Sequence, residues 1–427
     1  MTLFRTKDID VLKSYAQKNA LKRSLGALDI TLLGVGVIIG AGIFVLTGRA
    51  AATHAGPAIM LSFVLSSIVV AMVCIAYCEL ASAIPIAGSA YTYTYVSIGE
   101  LMAWLVGWAL ILEYTVGAAA VAGGWSAYLV GLLSQAGLNL PKQLTSVYAD
   151  GGFINLPAMA ITVFITWLLV RGIKESATVN RTLVAIKLIA IFIFLFIAGP
   201  RVDPTNWEPF FPYGKAGITA GAAVIFFSYL GVDSLATAAE ETKNPQRNMP
   251  VGIIASIVIC TILYVAVAAV MTGATKYTNL NTSEPVAFVL RNMGYNFGSA
   301  LVGVGAVAGL STVCLVMIYA QSRAFYAMSR DGLIPRRLCK IHPKYGTPHV
   351  ITIIVGTLLY TAMIVYVLLC KPWSVSPLGF PLVMGIAAYL LGAVTNDSTV
   401  GVTPVFCVLL GLAASQRRNV FKQNETA

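Results

Sequence analysis

Charged residues are scarce in this sequence, and that scarcity decides the class of protein. Only 11% of the 427 residues are charged, 58% are hydrophobic, and the mean hydropathy is +0.82. A soluble chain of this size cannot cover its surface with so little charge. Apolar runs of about 17 to 25 residues recur along the chain, and each is long enough to cross a bilayer as a helix. The composition therefore predicts an all-α polytopic membrane protein.

Residues suited to metal or covalent chemistry are also few. The chain has three histidines and seven cysteines, and most of these cysteines lie inside apolar runs without the spacing of metal ligands. The sequence contains no motif for a catalytic triad and no paired carboxylates within a span. The net charge of +11 comes from lysines and arginines in short loops and tails rather than from one basic surface. These features predict no enzyme activity, no metal site, no cofactor and no nucleic acid partner.

The basic residues also predict how the chain crosses the membrane. They concentrate before the first apolar run and in alternate loops, which places the N-terminus in the cytoplasm. We predict a multi-pass protein of the plasma membrane, with one transport domain over residues 1–427 and a cytoplasmic segment at 1–29. The third predicted span is overlong and is expected to begin as a surface helix. The predicted spans are residues 30–48, 57–82, 99–134, 154–170, 181–199, 217–238, 251–271, 297–322, 349–370, 378–394 and 402–415.

The last part of the chain departs from this pattern. Eleven spans would put the basic segment QRRNVFK, residues 416–422, outside the cell. Basic loops generally stay on the cytoplasmic side. A further span between residues 370 and 378 would restore the rule, so we expect one span to be absent there.

Four glycines interrupt the first predicted span. The stretch LLGVGVIIGAGIF, residues 32–44, is apolar, yet Gly34, Gly36, Gly40 and Gly42 are poor helix formers. Its GxGxxxG pattern is one residue too long for a dinucleotide-binding motif, and no strand–helix unit surrounds it. Two interpretations stay open. The glycines allow a neighbouring helix to approach closely, or the helix unwinds at residues 37–42 to line a cavity.

The sixth predicted span is interrupted as well, by the polar and glycine-bearing stretch FFSYLGVDS. Two interrupted helices five spans apart indicate an inverted repeat of five plus five helices, with the binding site at the interface of the repeats. We assign the repeats to residues 30–199 and 217–394, and the breaks to residues 37–42 and 228–231.

Backbone groups at such a break suit an amino acid. Carbonyls that end the first half-helix attract an ammonium, and N–H groups that begin the second half-helix attract a carboxylate. We therefore predict a substrate site at Ile38, Ala41 and Gly42, with the N–H groups of Ala41 and Gly42 directed at the carboxylate.

Two ionisable residues lie within predicted spans. Lys187 is in the middle of TLVAIKLIAIFIF, where a lysine costs about 2.5–3.5 kcal/mol on insertion scales. It either reaches the cytoplasmic interface or carries a proton, because burial disfavours the charged form of a lysine. Glu113 in LILEYTVG is equally costly if it faces lipid. Within a span it could bridge two helices.

Several long motifs resemble the cationic amino acid transporter family of the amino acid–polyamine–organocation superfamily. The resemblance covers roughly residues 20 to 350 and implies a leucine-transporter-like fold. The segment KPWSVSPLGFP resembles the one that follows span ten in that family, whose members have twelve or more spans. The expected missing span is therefore span ten. The motifs that carry the resemblance are GVGVIIGAGIFVLTG, AGSAYTYTYVSIGEL, GWALILEYTVGAAAVAGGWS, FFSYLGVDSLATAAEETKNPQRNMP and SRDGLIPRRLCKIHPKYGTP.

The resemblance also implies roles for residues on the third and fifth spans. Lys187 would take the place that sodium occupies in sodium-coupled relatives, and its ammonium would bond carbonyls near Gly36. Glu113 would lie near the substrate cavity, where it attracts a cation or shares the proton.

Further roles follow for the sixth and eighth spans. Carbonyls around Phe227, Ser228 and Leu230 would take the substrate ammonium, and Phe227 would act as an aromatic lid, whereas Phe226 is expected to be ordinary core. Met317 would face the cavity and fill the side-chain pocket, which favours small neutral amino acids over long basic ones.

Together these features predict a proton-coupled importer of small neutral amino acids, such as alanine, that works by alternating access. A cationic amino acid transporter and an uncoupled exchanger remain the alternatives. A membrane-embedded enzyme and a channel fit the broken helices less well. The predicted partners are the amino acid, the proton and membrane lipid. The oligomeric state, a monomer included, stays open.

Overall fold

The structure is a computed structural model. It describes residues 25–83, 89–146, 154–172, 177–229, 242–345 and 347–356, with the single positions 6, 152, 231, 232 and 235. The predicted site residue Leu230, most of the ninth predicted span and everything after it lie outside the described residues, as does the expected position of the missing span. Within the described part, the secondary structure is helical apart from two isolated bridges.

Eleven α-helices have both ends in the described part of the chain, residues 349–356 are also α-helical, and the predicted all-α fold is confirmed. Five helical stretches are long and apolar enough to cross a membrane, and two shorter apolar helices, α1 and α6, accompany them. The helices are α1 (Ala27–Ile38), α2 (Thr47–Ala50), α3 (Ile59–Ala83), α4 (Ser89–Ser97), α5 (Glu100–Gln135), α6 (Leu156–Val170), α7 (Ala177–Ala198), α8 (Gly214–Ile225), α9 (Pro245–Ala274), α10 (Pro285–Asn292) and α11 (Asn296–Arg330).

We name the two ends of the helix bundle after the orientation that the basic residues predict. The outer face carries the connections at residues 199–213 and 275–295, and the inner face carries α4 and the connection at residues 331–345.

The first helix is broken, as predicted, but the break is narrower than expected. Helix α1 continues to Ile38, and the Ile39 N–H donates to the Val35 carbonyl at 3.0 Å. Ile39 then turns to an extended conformation (φ −71°, ψ 102°), and helical geometry resumes at Ala41. The chain continues through π-helical turns on either side of α2, and we call residues 42–55 the outer half-helix. Only Ile39 and Gly40 are irregular, rather than the whole of 37–42.

The second break begins earlier than expected. Helix α8 ends at Ile225, and the chain tightens into a 3₁₀ turn over Phe226–Tyr229. Gly231 follows with φ +99°, a conformation that glycine adopts far more readily than other residues. The interruption therefore starts two residues before the predicted 228–231.

The predicted surface start of the third span is wrong. Residues Glu100–Gln135 form one continuous helix of 36 residues, which is about 54 Å long at 1.5 Å per residue. The preceding helix α4 is a separate element, and most of its described side chains are buried. Because the apolar core of a bilayer is about 30 Å thick, α5 extends well beyond it.

Small residues allow the other helices to pack closely on the broken first helix. A Cβ at Gly34 would lie 2.6 Å from the Ser256 Cβ on α9, and a Cβ at Gly40 would lie 2.8 Å from a Val313 methyl on α11. Both distances are far below the 3.5–4.0 Å of ordinary carbon contacts. Both interpretations of the glycines therefore apply: Gly34 is a packing position within the helix, and Gly40 is a packing position in the break itself.

Candidate substrate and cation site

Lys187 on α7 meets the end of the first half-helix. Its side chain is only 1% exposed, and its Nζ donates to the carbonyls of Gly36 at 2.6 Å and Ile39 at 3.2 Å. Carbonyls in the last turn of a helix have no partner within that helix, so the ammonium supplies one. The side chain crosses Gly309 of α11, where a Cβ would lie 3.0 Å from the Lys187 Cγ. Lys187 therefore does not reach the cytoplasmic interface, and that alternative is wrong.

Tyr264 on α9 connects the two breaks. The residue is fully buried, and its hydroxyl contacts the Ile38 carbonyl at 2.7 Å and the Ser228 carbonyl at 2.9 Å. A tyrosine hydroxyl carries a single proton, so the two carbonyls share one donor. Tyr264 is not among the residues predicted for the site. Its signal was a tyrosine in the middle of a span, away from the interfacial belts where tyrosine is usual.

Gly42 and Ser228 form a close contact between the two broken helices. A Cβ at Gly42 would lie 2.7 Å from the Ser228 Oγ and 2.8 Å from its Cα. Ser228 is 2% exposed, and its Oγ has no hydrogen-bond partner among the described residues. Gly42 and the preceding Ala41 begin the outer half-helix, where backbone N–H groups lack partners within the helix. A polar ligand bound here would meet a hydroxyl and backbone donors together.

Both phenylalanines of the second break, Phe226 and Phe227, are exposed over a large part of their surface. Phe226 is not ordinary core, because 41% of the residue is exposed and it lines a groove with Leu65 and Val69 of α3. Phe227 is 55% exposed. Successive residues of a 3₁₀ turn point about 120° apart, so Phe227 does not share that groove. Its role as an aromatic lid stays a prediction.

Met317 lies on the face of α11 that meets the first break. Met317 is buried, and it follows Val313, the residue that touches Gly40, by one helical turn toward the inner face. One turn further on, the amide of Gln321 donates to the Thr115 hydroxyl of α5 at 2.5 Å. The methionine is therefore held between the break and a buried polar contact, close to where a substrate side chain would extend.

Glu113 on α5 is half-buried. Its role near the cavity stays a prediction.

The chemistry of this site is that of backbone dipoles and a single buried ammonium. Within the described part of the chain, no group of three or more histidine, cysteine, aspartate or glutamate side chains is placed to hold a metal ion. The helix ends offer carbonyls to a cation and N–H groups to an anion, side by side.

The fold and the site define a helical membrane transporter with two broken helices. The sequence model of the family described as "Amino acid permease" matches residues 25–422. The chain therefore belongs to this amino acid permease family, and the predicted similarity to the cationic amino acid transporters is confirmed. It is a transporter rather than an enzyme.

Relatives with known names extend the comparison. The branched-chain amino acid permease BcaP of Bacillus subtilis (strain 168) is 47% identical over 363 residues, which are 84% of this chain and 78% of that protein. The methylthioribose transporter of the same organism is 46% identical over 349 residues, 81% of this chain and 76% of that protein. The vacuolar cationic amino acid transporter 4 of Arabidopsis thaliana is 38% identical over 368 residues, 84% of this chain and 61% of that protein.

A solved structure shows the same fold. The crystal structure of MhsT in complex with L-phenylalanine superimposes with a TM-score of 0.60 and covers 88% of both chains, at 16% sequence identity. At this identity the likeness concerns the fold alone, and it confirms the predicted leucine-transporter-like architecture.

Proposed function

We propose that this permease imports small neutral amino acids together with a proton, by alternating access. The observation that carries the proposal is the buried ammonium of Lys187, bonded to the Gly36 and Ile39 carbonyls where the first helix breaks. A titratable cation at this position links the state of one proton to the shape of the substrate site.

The coupling works through the strength of these hydrogen bonds. A protonated Nζ has three hydrogens and a positive charge for the carbonyls, whereas a neutral amine has two hydrogens and no charge. Charge-assisted hydrogen bonds are roughly twice as strong as neutral ones. Protonation of Lys187 therefore stabilises the end of α1 in its observed shape. Linkage then requires that proton and substrate each favour the binding of the other.

The substrate backbone would bind between the two breaks. Its carboxylate meets the N–H groups of Ala41 and Gly42 at the start of the outer half-helix, where the helix dipole also favours an anion. Its ammonium meets the carbonyls of Ile38 and Ser228, which Tyr264 already holds in place. The Ser228 hydroxyl, which has no partner among the described residues, is a further donor for the carboxylate.

The substrate side chain would point at Met317. Because this buried side chain occupies space one turn from the break, it leaves room for a small neutral substrate and offers a long basic one no acceptor. The relatives named as the branched-chain amino acid permease and the methylthioribose transporter are more similar to this chain than the cationic amino acid transporter 4. They favour a neutral substrate and make branched-chain amino acids the second candidate after alanine.

Orientation and location complete the proposal. The N-terminus lies in the cytoplasm and the protein is in the plasma membrane, because basic residues concentrate on that side of the bundle. Residues 30–199 and 217–394 act as the two repeats, and the amino acid, the proton and surrounding lipid are the partners.

Uptake into proteoliposomes tests the proposal. Wild-type protein should concentrate labelled alanine when the outside is made acidic, and a protonophore should abolish this accumulation. Lys187→Ala should lose it, whereas Lys142→Ala, which changes an exposed lysine of the outer face, should not. Gradient-independent uptake by the wild type would contradict proton coupling. Stronger competition by arginine than by alanine would contradict the neutral substrate.

A further inference from the structure

The short helix α10 caps the outer end of the bundle, and we call it the capping helix. Its first residue, Pro285, lies against Gly48 of the outer half-helix, where a Cβ would be 2.7 Å from the proline Cγ. Ser299 of α11 donates to the Ala287 carbonyl at 3.0 Å. Val289 is fully buried. The capping helix thus covers the outer half of the broken helix directly.

A carboxyl group fixes the capping helix to α5. The Glu284 side chain, just before the capping helix, enters a notch at Gly131. A Cβ at Gly131 would lie 2.7 Å from the Glu284 Cδ and Oε1, and closer still to Oε2. Arg291, two helical turns along, pairs with the same carboxylate, and the two side chains are only 17% and 26% exposed. The notch exists because position 131 has no side chain.

Tyr128 lies one turn before Gly131 on α5 and connects this contact to the substrate site. Its hydroxyl donates to the Phe44 carbonyl of the outer half-helix at 2.7 Å, and its ring packs edge-on against Phe44. A movement of the capping helix near Gly131 would therefore be transmitted to the outer half-helix through Tyr128.

Seating the carboxyl has an electrostatic cost. Burial raises the pKa of Glu284 above its ordinary value of 4.5, while the hydrogen bond and charge of Arg291 act in the opposite direction. The groups that face the carboxyl are Arg291 from the capping helix and Tyr128 from α5. The ion pair with Arg291 offsets only part of the desolvation cost of the Glu284 carboxyl. A contact with such a small net free energy can open and close.

We propose that Glu284, Arg291 and Gly131 form an outer clasp, which shuts the route between the substrate site and the outer face when the Glu284 side chain is seated in the notch at Gly131. The clasp is a positioning device for transport. It rests on the family's transport activity and depends neither on proton coupling through Lys187 nor on the identity of the substrate.

Gly131→Ala in the full-length protein tests the clasp. The new methyl group meets the far end of a flexible side chain, so the fold can accept it while the carboxyl is expelled. The probe is the amino acid, of the twenty, that stabilises the wild type most in a thermal shift. We expect its affinity to stay close to that of the wild type. The rate of counterflow exchange in proteoliposomes, which needs no proton gradient, should fall by about tenfold or more. This is the change in rate that corresponds to the free-energy cost of an ordinary overpacking substitution. Gly123→Ala is the matched control, because a Cβ at Gly123 of the same helix meets nothing within 4 Å.

A second substitution makes the test specific. Gly131→Ala and Glu284→Ala each abolish the same contact, so the double variant should exchange no more slowly than Glu284→Ala alone. A defect at Gly131 that is unrelated to the clasp would add to the loss caused by Glu284→Ala. The clasp is overturned if Gly131→Ala exchanges as fast as Gly123→Ala, or if the losses of the two single variants multiply in the double variant. If Gly131→Ala does not yield folded protein, Glu284→Ala alone decides: exchange slowed with binding retained supports the clasp, and unchanged exchange refutes it.

Discussion

Replacing Tyr264 by phenylalanine tests whether one hydroxyl holds the two breaks in register. The substitution keeps the buried ring and removes the only described donor that contacts both the Ile38 and Ser228 carbonyls. Leaving a buried acceptor without its partner costs about 1 to 3 kcal/mol, which is a factor of about 5 to 150 in an equilibrium constant. This cost falls on the arrangement that keeps the two breaks in register. We expect the affinity for substrate to weaken by a factor in this range, because binding must then restore that register.

Tyr229→Phe is the matched control. Its ring lies 5.4 Å from that of Tyr264, but its hydroxyl contacts Thr261 at 3.0 Å and the Phe63 carbonyl at 3.4 Å rather than the carbonyls of the breaks. Both variants should lower the melting temperature, since each loses a buried hydrogen bond, but only Tyr264→Phe should weaken binding. The assay is a ligand titration followed by thermal shift. Equal affinities of Tyr264→Phe and the wild type would refute the reasoning.

Three further changes test separate parts of the site. Gly42→Val should abolish substrate binding without preventing insertion of the protein into the membrane, because the valine side chain would overlap Ser228. A wild-type affinity of this variant in a thermal-shift titration would rule out the close contact between Gly42 and Ser228. Met317→Ser should enlarge the pocket and admit longer or basic side chains, measured by competition against labelled alanine, and an unchanged ranking of competitors would count against the pocket. Because the folded-state pKa of Glu284 is raised from 4.5, its contribution to stability is present below that value and is lost as the pH rises through the folded-state pKa. The difference in melting temperature between the wild type and Glu284→Gln should therefore change in favour of the variant as the pH rises above 4.5. The exposed Glu208→Gln is the control variant. A difference for Glu284→Gln that does not change with pH would contradict this prediction.

The sequence predicted the architecture because its strongest signals were local. The length of an apolar run is enough to identify a membrane helix. Glycines within two of these runs indicated the two breaks. The exact residues of each break were less predictable. Ile38 stays helical because its helix is continued by the bond from Ile39 to Val35, and Phe226 leaves the α-helix through a 3₁₀ turn. Both depend on contacts that a sequence pattern does not contain.

Residues that act across helices were harder to foresee. Lys187 was conspicuous because charge in a span is costly, and the family resemblance placed its partners near Gly36. Tyr264 and Tyr128 have hydroxyls whose partners the sequence does not indicate, because only the fold brings them to carbonyls 226 and 84 residues away in sequence. The role that we propose for Gly131 depends on its contact with Glu284, which lies 153 residues later in the sequence (284 − 131).

Uptake by Lys187→Arg under an imposed pH gradient tests the central proposal most directly. Arginine keeps the positive charge and the donors that the Gly36 and Ile39 carbonyls accept, but its guanidinium does not release a proton in the working range. The proposal predicts that Lys187→Arg in proteoliposomes fails to concentrate labelled alanine in response to an acidic exterior, while the exposed control Lys142→Arg accumulates it as the wild type does. Accumulation by Lys187→Arg in response to that gradient would contradict the proposal and move the coupling site elsewhere, with Glu113 the next candidate.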